Sequence, residues 1–196
     1  YKWFEDGVTN TCYNALDFHV DKGRGEKIAI IYDSPITNTQ KKISYNQLRD
    51  EVALFAGALK KQGAAKGDRV IIYMPMIPEA VIAMLACGRI GAVHSVVFGG
   101  FAANELASRI DDSKAKLIVS ASCGYEPGRT VEYKPLLNKA LELAKHKPNK
   151  CIIYQREKFK AKLDSSIDIS WEDSLKNIQP AGCEKMKGSD YAYILY

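Results

Sequence analysis

From Asp68 onward, short apolar runs rich in β-formers alternate with stretches of helical periodicity, and this alternation constrains the fold more than any other feature. Strand, helix and strand in succession build a parallel sheet with helices over its faces, because parallel neighbours need a long crossover. Five such strands can be read. Residues 69–74 (RVIIYM) make the first, and Pro78 opens a helix to about residue 90, since proline at the first helical position gives up no hydrogen bond. Gly91 ends it, and residues 92–98 (AVHSVVF) make the second strand. Gly99-Gly100 then leads into a helix over about 102–112, with Leu106 and Ile110 one turn apart. Residues 116–120 are the third strand. Pro135 starts a helix to about 145, with Leu136, Leu137, Ala140, Leu141 and Ala144 on one face, and 151–154 is the fourth strand. A polar stretch over 155–189, with a short helix after Trp171, leads to 191–196, an aromatic run suited to a fifth strand.

The signals before Asp68 differ. Residues 26–33 and 41–44 read as strands joined by the turn-rich Ser34-Pro35-Ile36-Thr37-Asn38, hence a hairpin. Ser44 and Gln47 have capping-box spacing and open a helix to about 62, in which Leu48, Val52, Phe55 and Leu59 form a face that must be buried. No internal repeat or Gly/Ser linker divides the chain. The expected fold class is α/β: a parallel sheet flanked by helices. Residues 1–67 carry an N-terminal helix, a hairpin and a helix, and 68–196 form the α/β subdomain.

Composition removes several function classes. With 46% hydrophobic and 26% charged residues, the chain is neither disordered nor collagen-like. The longest apolar run, residues 80–87, falls far short of the ~20 residues that span a bilayer, so no membrane insertion is expected. A net charge of +5 with both signs interspersed does not make the footprint of a nucleic-acid binder. The closest two of the five cysteines, Cys123 and Cys151, are 28 residues apart, so there is no CxxC half-site, and an odd, scattered set suits a reducing interior. The chain starts at Tyr1, without Met or any visible leader, so the natural N-terminus is expected upstream.

In open parallel sheets ligands bind outside the carboxyl ends of strands, which directs attention to the loops after Met74, Phe98, Ser120 and Tyr196. Phe98-Gly99-Gly100-Phe101 sets two residues without Cβ between aromatics. A planar base could stack there and a ligand could approach the backbone, or the glycines could simply make a tight strand-to-helix turn. Gly124-Tyr125-Glu126-Pro127-Gly128-Arg129 reads as a rigid turn presenting one guanidinium, suited to phosphate through its planar fork, or as a solvated loop with an ordinary surface arginine. The tetrapeptide and the hexapeptide leave both readings open. Neither matches GxGxxG or GxxxxGK[ST]. His94, alternating with apolar neighbours in a strand, reads as a satisfied core histidine. Met74, Met76 and Met84 read as core gap-fillers, and Lys158, Lys160 and Lys162 as a solvated run with no stacking platform.

Longer stretches carry a resemblance. Trp3-Phe4-Glu5-Asp6-Gly7 with Asn10 and Asn14, Tyr73-Met74-Pro75-Met76, Ala83-Met84-Leu85-Ala86-Cys87 and the run from Arg89-Ile90-Gly91 through His94-Ser95 to Phe98-Gly99-Gly100-Phe101 together resemble acetyl- and propionyl-CoA synthetases. These are short-chain acyl-CoA ligases of the adenylate-forming superfamily, and the likeness runs from Trp3 to Tyr196. It implies the N-terminal part of the large domain of a two-step ligase. A carboxylate attacks the α-phosphate of ATP to give an acyl-adenylate, and the thiol of coenzyme A then displaces AMP. In the family, Tyr-Ile-Leu-Tyr is followed by a Ser/Thr/Gly loop that cradles the ATP phosphates, so the ATP and Mg sites are expected beyond Tyr196, and these residues alone are expected to be inactive. What the resemblance places inside the chain is part of the CoA site: Phe98, Gly99 and Gly100 near the nucleotide, and Glu126, Pro127, Gly128 and Arg129 as a CoA-contacting loop.

The acetate enzymes commonly have Arg first and Gly second in that loop. Glu126-Pro127 departs from this, and with Glu132-Tyr133 and Pro135-Leu136 it looks closer to the propionate-preferring, often mitochondrial member. Gly88, where the family usually has Ala, has no functional reading. The implied partners are a short-chain carboxylate, ATP, CoA and the remainder of the polypeptide, in the mitochondrial matrix or the cytoplasm. A stand-alone CoA- or nucleotide-binding module and a luciferase-like or peptide-synthetase domain are the rival readings.

Overall fold

The computed structural model describes residues 4–196, so Trp3 of the resemblance lies outside the described residues. In chain order the elements are β1 (Val8–Thr9), π-helical turns at Tyr13–Asp17 and Val20–Arg24, β2 (Ile28–Ser34), β3 (Thr39–Ser44), α1 (Tyr45–Lys61), β4 (Arg69–Met74), α2 (Pro78–Arg89), β5 (Val93–Phe98) and α3 (Ala103–Ser113). They continue with β6 (Leu117–Ala121), β7 (Cys123–Glu126), β8 (Arg129–Glu132), α4 (Tyr133–Leu143), β9 (Lys150–Tyr154), β10 (Asp168–Ser170), α5 (Trp171–Ser174), β11 (Met186–Lys187) and β12 (Tyr193–Ile194).

Six strands form one sheet in the order β10-β9-β6-β4-β5-β12, every neighbouring pair parallel. This is the α/β sheet that the alternation predicts. Val70, Ile72 and Met74 of β4 join the core under α1 and α2, and Ile71 and Tyr73 turn to the core under α3 and α4. Coverage on both faces is why this strand reads as a continuous apolar run. The capping box forms as its spacing predicts: the Ser44 hydroxyl accepts from the Gln47 backbone amide at 3.3 Å, and the Gln47 side-chain Oε1 accepts from the Ser44 backbone amide at 2.9 Å. Leu48, Val52, Phe55 and Leu59 are buried, with the Phe55 ring stacked on Trp171 at 3.7 Å. No helix of the described residues is long and apolar enough to cross a membrane.

Several expectations are corrected. The polar stretch contributes a strand, β10, because its buried Asp168 is paired with Lys134 at 2.8 Å, and a charged residue at a core position hides the strand pattern. Only Tyr193 and Ile194 of the terminal aromatic run pair with β5, and Tyr191, Leu195 and Tyr196 stay exposed. The fourth helix starts at Tyr133, with Pro135 in its first turn, where amides have no intrahelical partner. Met76 is 90% exposed and fills no core gap. Asn10, in the resembling stretch, is a structural stitch: its amide nitrogen donates to the carbonyls of Gly88, Arg89 and Glu184 at 2.9, 3.2 and 2.8 Å, beside the β1–β11 antiparallel pair.

His94 is not satisfied. Its Nδ1 is buried without a partner, and its ring lies 5.8 Å from that of Tyr193. Burial lowers its pKa below the ordinary 6.5. A folded-state pKa below the unfolded value contributes stability that is fully present above pH 6.5 and is lost as pH falls through the folded value. We expect urea melts of His94→Gln to show a flatter stability profile than the parent between pH 7 and 5, and parallel profiles would show that His94 does not titrate with folding.

Candidate functional site

The helix after β4 packs on one face of the sheet with α1, and the helix after β5 packs on the other with α4. Loops 75–77 and 99–102 therefore diverge, and divergence at strand carboxyl ends opens a crevice. A cavity of about 610 Å³ lies there, lined by residues 74–77, 96–100 and 124–126 together with Tyr133 and Arg156, among others. Its size suits a small-molecule ligand.

Of the residues singled out in the sequence, Phe98, Gly99, Gly100 and Glu126 line this cavity, while Pro127, Gly128 and Arg129 stand at an exposed tip outside its lining. The stretch 124–129 is part of a hairpin and not an open loop, with β7 and β8 antiparallel and Glu126 opposite Arg129. Pro127-Gly128 makes its turn, and Gly128 at φ +76° supplies the left-handed conformation that a Pro-Gly type II turn requires. The Arg129 guanidinium is not free: Nε and Nη2 both donate to Glu126 Oε2, at 2.7 and 2.6 Å. Their side chains are 71% and 43% exposed, so this pair adds little stability but occupies the cation.

Gly99 is buried, and a Cβ there would overlap the Tyr133 ring and hydroxyl. A Cβ on Gly124 would sit 2.8 Å from the same hydroxyl. Tyr133 thus packs between the two loops, its ring stacked on Tyr73 at 5.0 Å. The Tyr73 hydroxyl donates to the carbonyls of Phe101 at 3.1 Å and Gly99 at 3.4 Å, which fixes the glycine turn. Burial pushes both phenols up to about 12, so both remain protonated at neutral pH. Gly100 is exposed, with the Phe98 ring edge 2.7 Å from where its Cβ would stand, and Phe98, 69% exposed, presents its ring edge-to-face with Phe101 at 5.9 Å.

Sequence reasoning named Tyr73, Tyr133 and Tyr125 without a role in the site and missed Arg156. The last had a signal, since it follows β9 and so lies at a strand carboxyl end like the loops that were searched. The Ser122 hydroxyl accepts from the Arg156 amide and donates to the Phe159 carbonyl, both at 2.8 Å, and the Arg156 guanidinium lies 4.5 Å from the centre of the Tyr125 ring. Among the described residues, the cavity lining holds no His or Cys. Chemically it can stack a planar group, approach a ligand through Gly100 and offer cationic and phenolic donors, which is a binding surface. Among the described residues, Cys12, Asp17 and Cys183 lie close enough together to share an ion. Two thiols with Arg89 bonded to Cys12 and Asp17 do not suit Mg, which takes oxygen ligands.

The profile of the AMP-binding enzyme family matches residues 18–196. The rat protein named acyl-CoA synthetase short-chain family member 3, mitochondrial, is 52% identical over 195 residues, which are 99% of this chain and 29% of that protein. An acetyl-coenzyme A synthetase of Sinorhizobium fredii is 43% identical over 199 residues, covering 100% of this chain and 30% of that protein. The solved acetoacetyl-CoA synthetase of Streptomyces lividans superposes with a TM-score of 0.83 over 96% of this chain and 28% of its own, at 21% identity. The chain thus spans 29–30% of the length of these two curated relatives.

Proposed function

Because the chain belongs to the AMP-binding enzyme family, we propose that it is part of an AMP-forming, ATP-dependent short-chain fatty acid CoA ligase, and that these residues supply one wall of the CoA site. Propionate is placed slightly ahead of acetate as the acyl substrate. The observation that carries this reading is the cavity at the diverging loops, where an exposed aromatic ring, an exposed glycine and the 123–132 hairpin meet. The higher identity to the rat short-chain family member than to the acetyl-coenzyme A synthetase supports setting acetate second, and the word mitochondrial in the rat protein's name supports a mitochondrial location.

In this reading Phe98 stacks on the adenine, Gly100 lets the nucleotide approach the backbone, and Tyr73 and Tyr133 hold the glycine turn in place. The acyl-adenylate forms when the carboxylate attacks the α-phosphate of ATP with loss of pyrophosphate. The CoA thiol then attacks the acyl carbon and AMP leaves. Among the described residues the cluster close enough to share an ion, Cys12, Asp17 and Cys183, does not suit Mg.

Two measurements test the reading. Titration of the 196-residue chain with CoA should show saturable binding, and incubation with ATP, propionate and CoA should release no pyrophosphate, whereas a polypeptide extended beyond Tyr196 should release it and form acyl-CoA. Absence of CoA binding to either would overturn the reading. CoA binding without pyrophosphate release by the extended polypeptide would favour a CoA-binding module. Within the hairpin, a charge-assisted hydrogen bond is worth roughly 1.5–3 kcal/mol, and exposure places Arg129 at the low end, so Arg129→Ala should weaken CoA binding about tenfold. Glu126→Ala removes a carboxylate from the cavity wall and frees Arg129, so it should tighten binding about threefold to tenfold. Unchanged affinity in both variants would put the hairpin tip outside the site.

A further inference from the structure

Away from the cavity, two cysteines meet beside the Arg89–Asp17 ion pair. Cys12 precedes the Tyr13–Asp17 turn, and Cys183 lies between α5 and β11, 171 residues further on. The two sulfurs and an Asp17 carboxylate oxygen all lie within 4.8 Å of one another. Arg89 Nη1 donates to the Cys12 sulfur at 3.5 Å, and the Cys183 thiol donates to Asp17 Oδ2 at 3.7 Å. Cys12 is fully buried, whereas Cys183 is half-buried between the exposed Gly182 and Glu184.

Backbone contacts hold the two thiols face to face. On one side of Cys183 the Ala181 amide donates to the Ala53 carbonyl at 2.8 Å, and the Ala181 carbonyl accepts from Arg89 Nε at 2.7 Å. On the other side the Glu184 amide donates to the Arg89 carbonyl at 2.7 Å, and the Glu184 carbonyl accepts from Asn10 at 2.8 Å, two residues before Cys12. The two thiols also differ chemically. The Cys183 thiol, and then the Arg89 guanidinium, hold Cys12 below the ordinary thiol value against the opposing effect of burial, while Cys183 is pushed up by its contact with Cys12 and by burial. Burial pushes Cys87 and Cys151 up to about 12, which makes them inert. A metal ion is a poor occupant of the cluster, because the Arg89 guanidinium already donates to both Asp17 oxygens and to Cys12 and would face it as a fixed positive charge.

We propose that Cys12 and Cys183 are a redox-sensitive pair that closes to a disulfide under hydrogen peroxide and reopens with small thiols. The more accessible Cys183 sulfur attacks one peroxide oxygen, the O–O bond breaks, and the hydroxide that leaves takes up the thiol proton as water, giving a sulfenic acid. The Cys12 sulfur then attacks the Cys183 sulfur, the S–O bond breaks, and hydroxide leaves with the Cys12 proton as a second water. The two sulfurs together lose two electrons, and the peroxide gains them. The new bond staples the N-terminal turn to the segment that leads through β11 into β12.

The test exposes the reduced chain and Cys183→Ala, a change at a half-buried position that keeps the fold, to hydrogen peroxide. Remaining thiols are blocked with N-ethylmaleimide and the peptides mapped by mass spectrometry. In the parent we expect a cross-linked Cys12–Cys183 peptide, a fall from five titratable thiols to three in denaturant, and recovery of all five with dithiothreitol. Closing so long a loop should raise the melting temperature by about 4–16 °C, and Cys183→Ala should show neither the cross-link nor the rise. A cross-link between other cysteines, sulfinic acid on Cys183 with Cys12 still a thiol, or a melting temperature that does not move would overturn the proposal. So would a zinc titration in which one ion per chain shields both thiols from peroxide, since that would assign the cluster to a metal.

Discussion

Replacing Arg89 by methionine should cost about 3–5 kcal/mol of unfolding free energy, because it strands a carboxylate in a nearly dry pocket. The Arg89 side chain is 7% exposed and that of Asp17 16%. Nη1 and Nη2 donate to the two Asp17 oxygens at 2.7 and 3.0 Å, Nε donates to the Ala181 carbonyl at 2.7 Å, and Nη1 also reaches the Cys12 sulfur at 3.5 Å. One side chain thus ties the N-terminal π-turn and the segment after α5 to the end of α2. At about 2–4 °C per kcal/mol for a chain of this size, the melting temperature should fall by roughly 6–20 °C. Arg89→Lys should recover only part of the loss, since an ammonium cannot make the two-pronged contact. A urea-unfolding loss below about 1 kcal/mol would mean that solvent reaches Asp17 and screens it.

The second large effect is expected at the edge of the sheet. Lys134 and Asp168 have side chains 4% and 0% exposed and are joined at 2.8 Å. Asp168 Oδ2 also accepts from the Asp164 amide at 2.7 Å, while Oδ1 is buried with no partner, and Lys134 further donates to Asn138. Lys134→Met leaves the carboxylate without its cation and should cost about 3–5 kcal/mol. The double variant Lys134→Met with Asp168→Leu should return most of that loss, because an apolar pair of similar volume carries no desolvation penalty. A double variant no more stable than Lys134→Met would show that Asp168 holds β10 chiefly through the Asp164 amide and not through the ion pair.

How much of the site was legible depends on sequence distance. The Gly99-Gly100 turn could be located because it follows an unambiguous strand, and the capping box at Ser44 because its two partners are three residues apart. The reason for Gly99 could not be read. It is the Tyr133 ring, 34 residues downstream, and no local pattern links the two. The pairing of Arg129 with Glu126 was available from a Pro-Gly turn between them, yet reading the turn as presenting a free guanidinium concealed it.

Hydrophobic periodicity alone determined the order of strands and helices, because burying one face of each element is a local requirement that composition at fixed spacing expresses. It settled that β4, β5, β6 and β9 are parallel, since helices lie between them. Tertiary structure decided which loops share a crevice and which cations are already spent. Both depend on which face of the sheet each crossover takes and on ion pairs such as Arg89 with Asp17 and Lys134 with Asp168, whose partners are 72 and 34 residues apart. Contacts of that range leave no periodic trace, because their energy comes from desolvated charge meeting its partner in three dimensions.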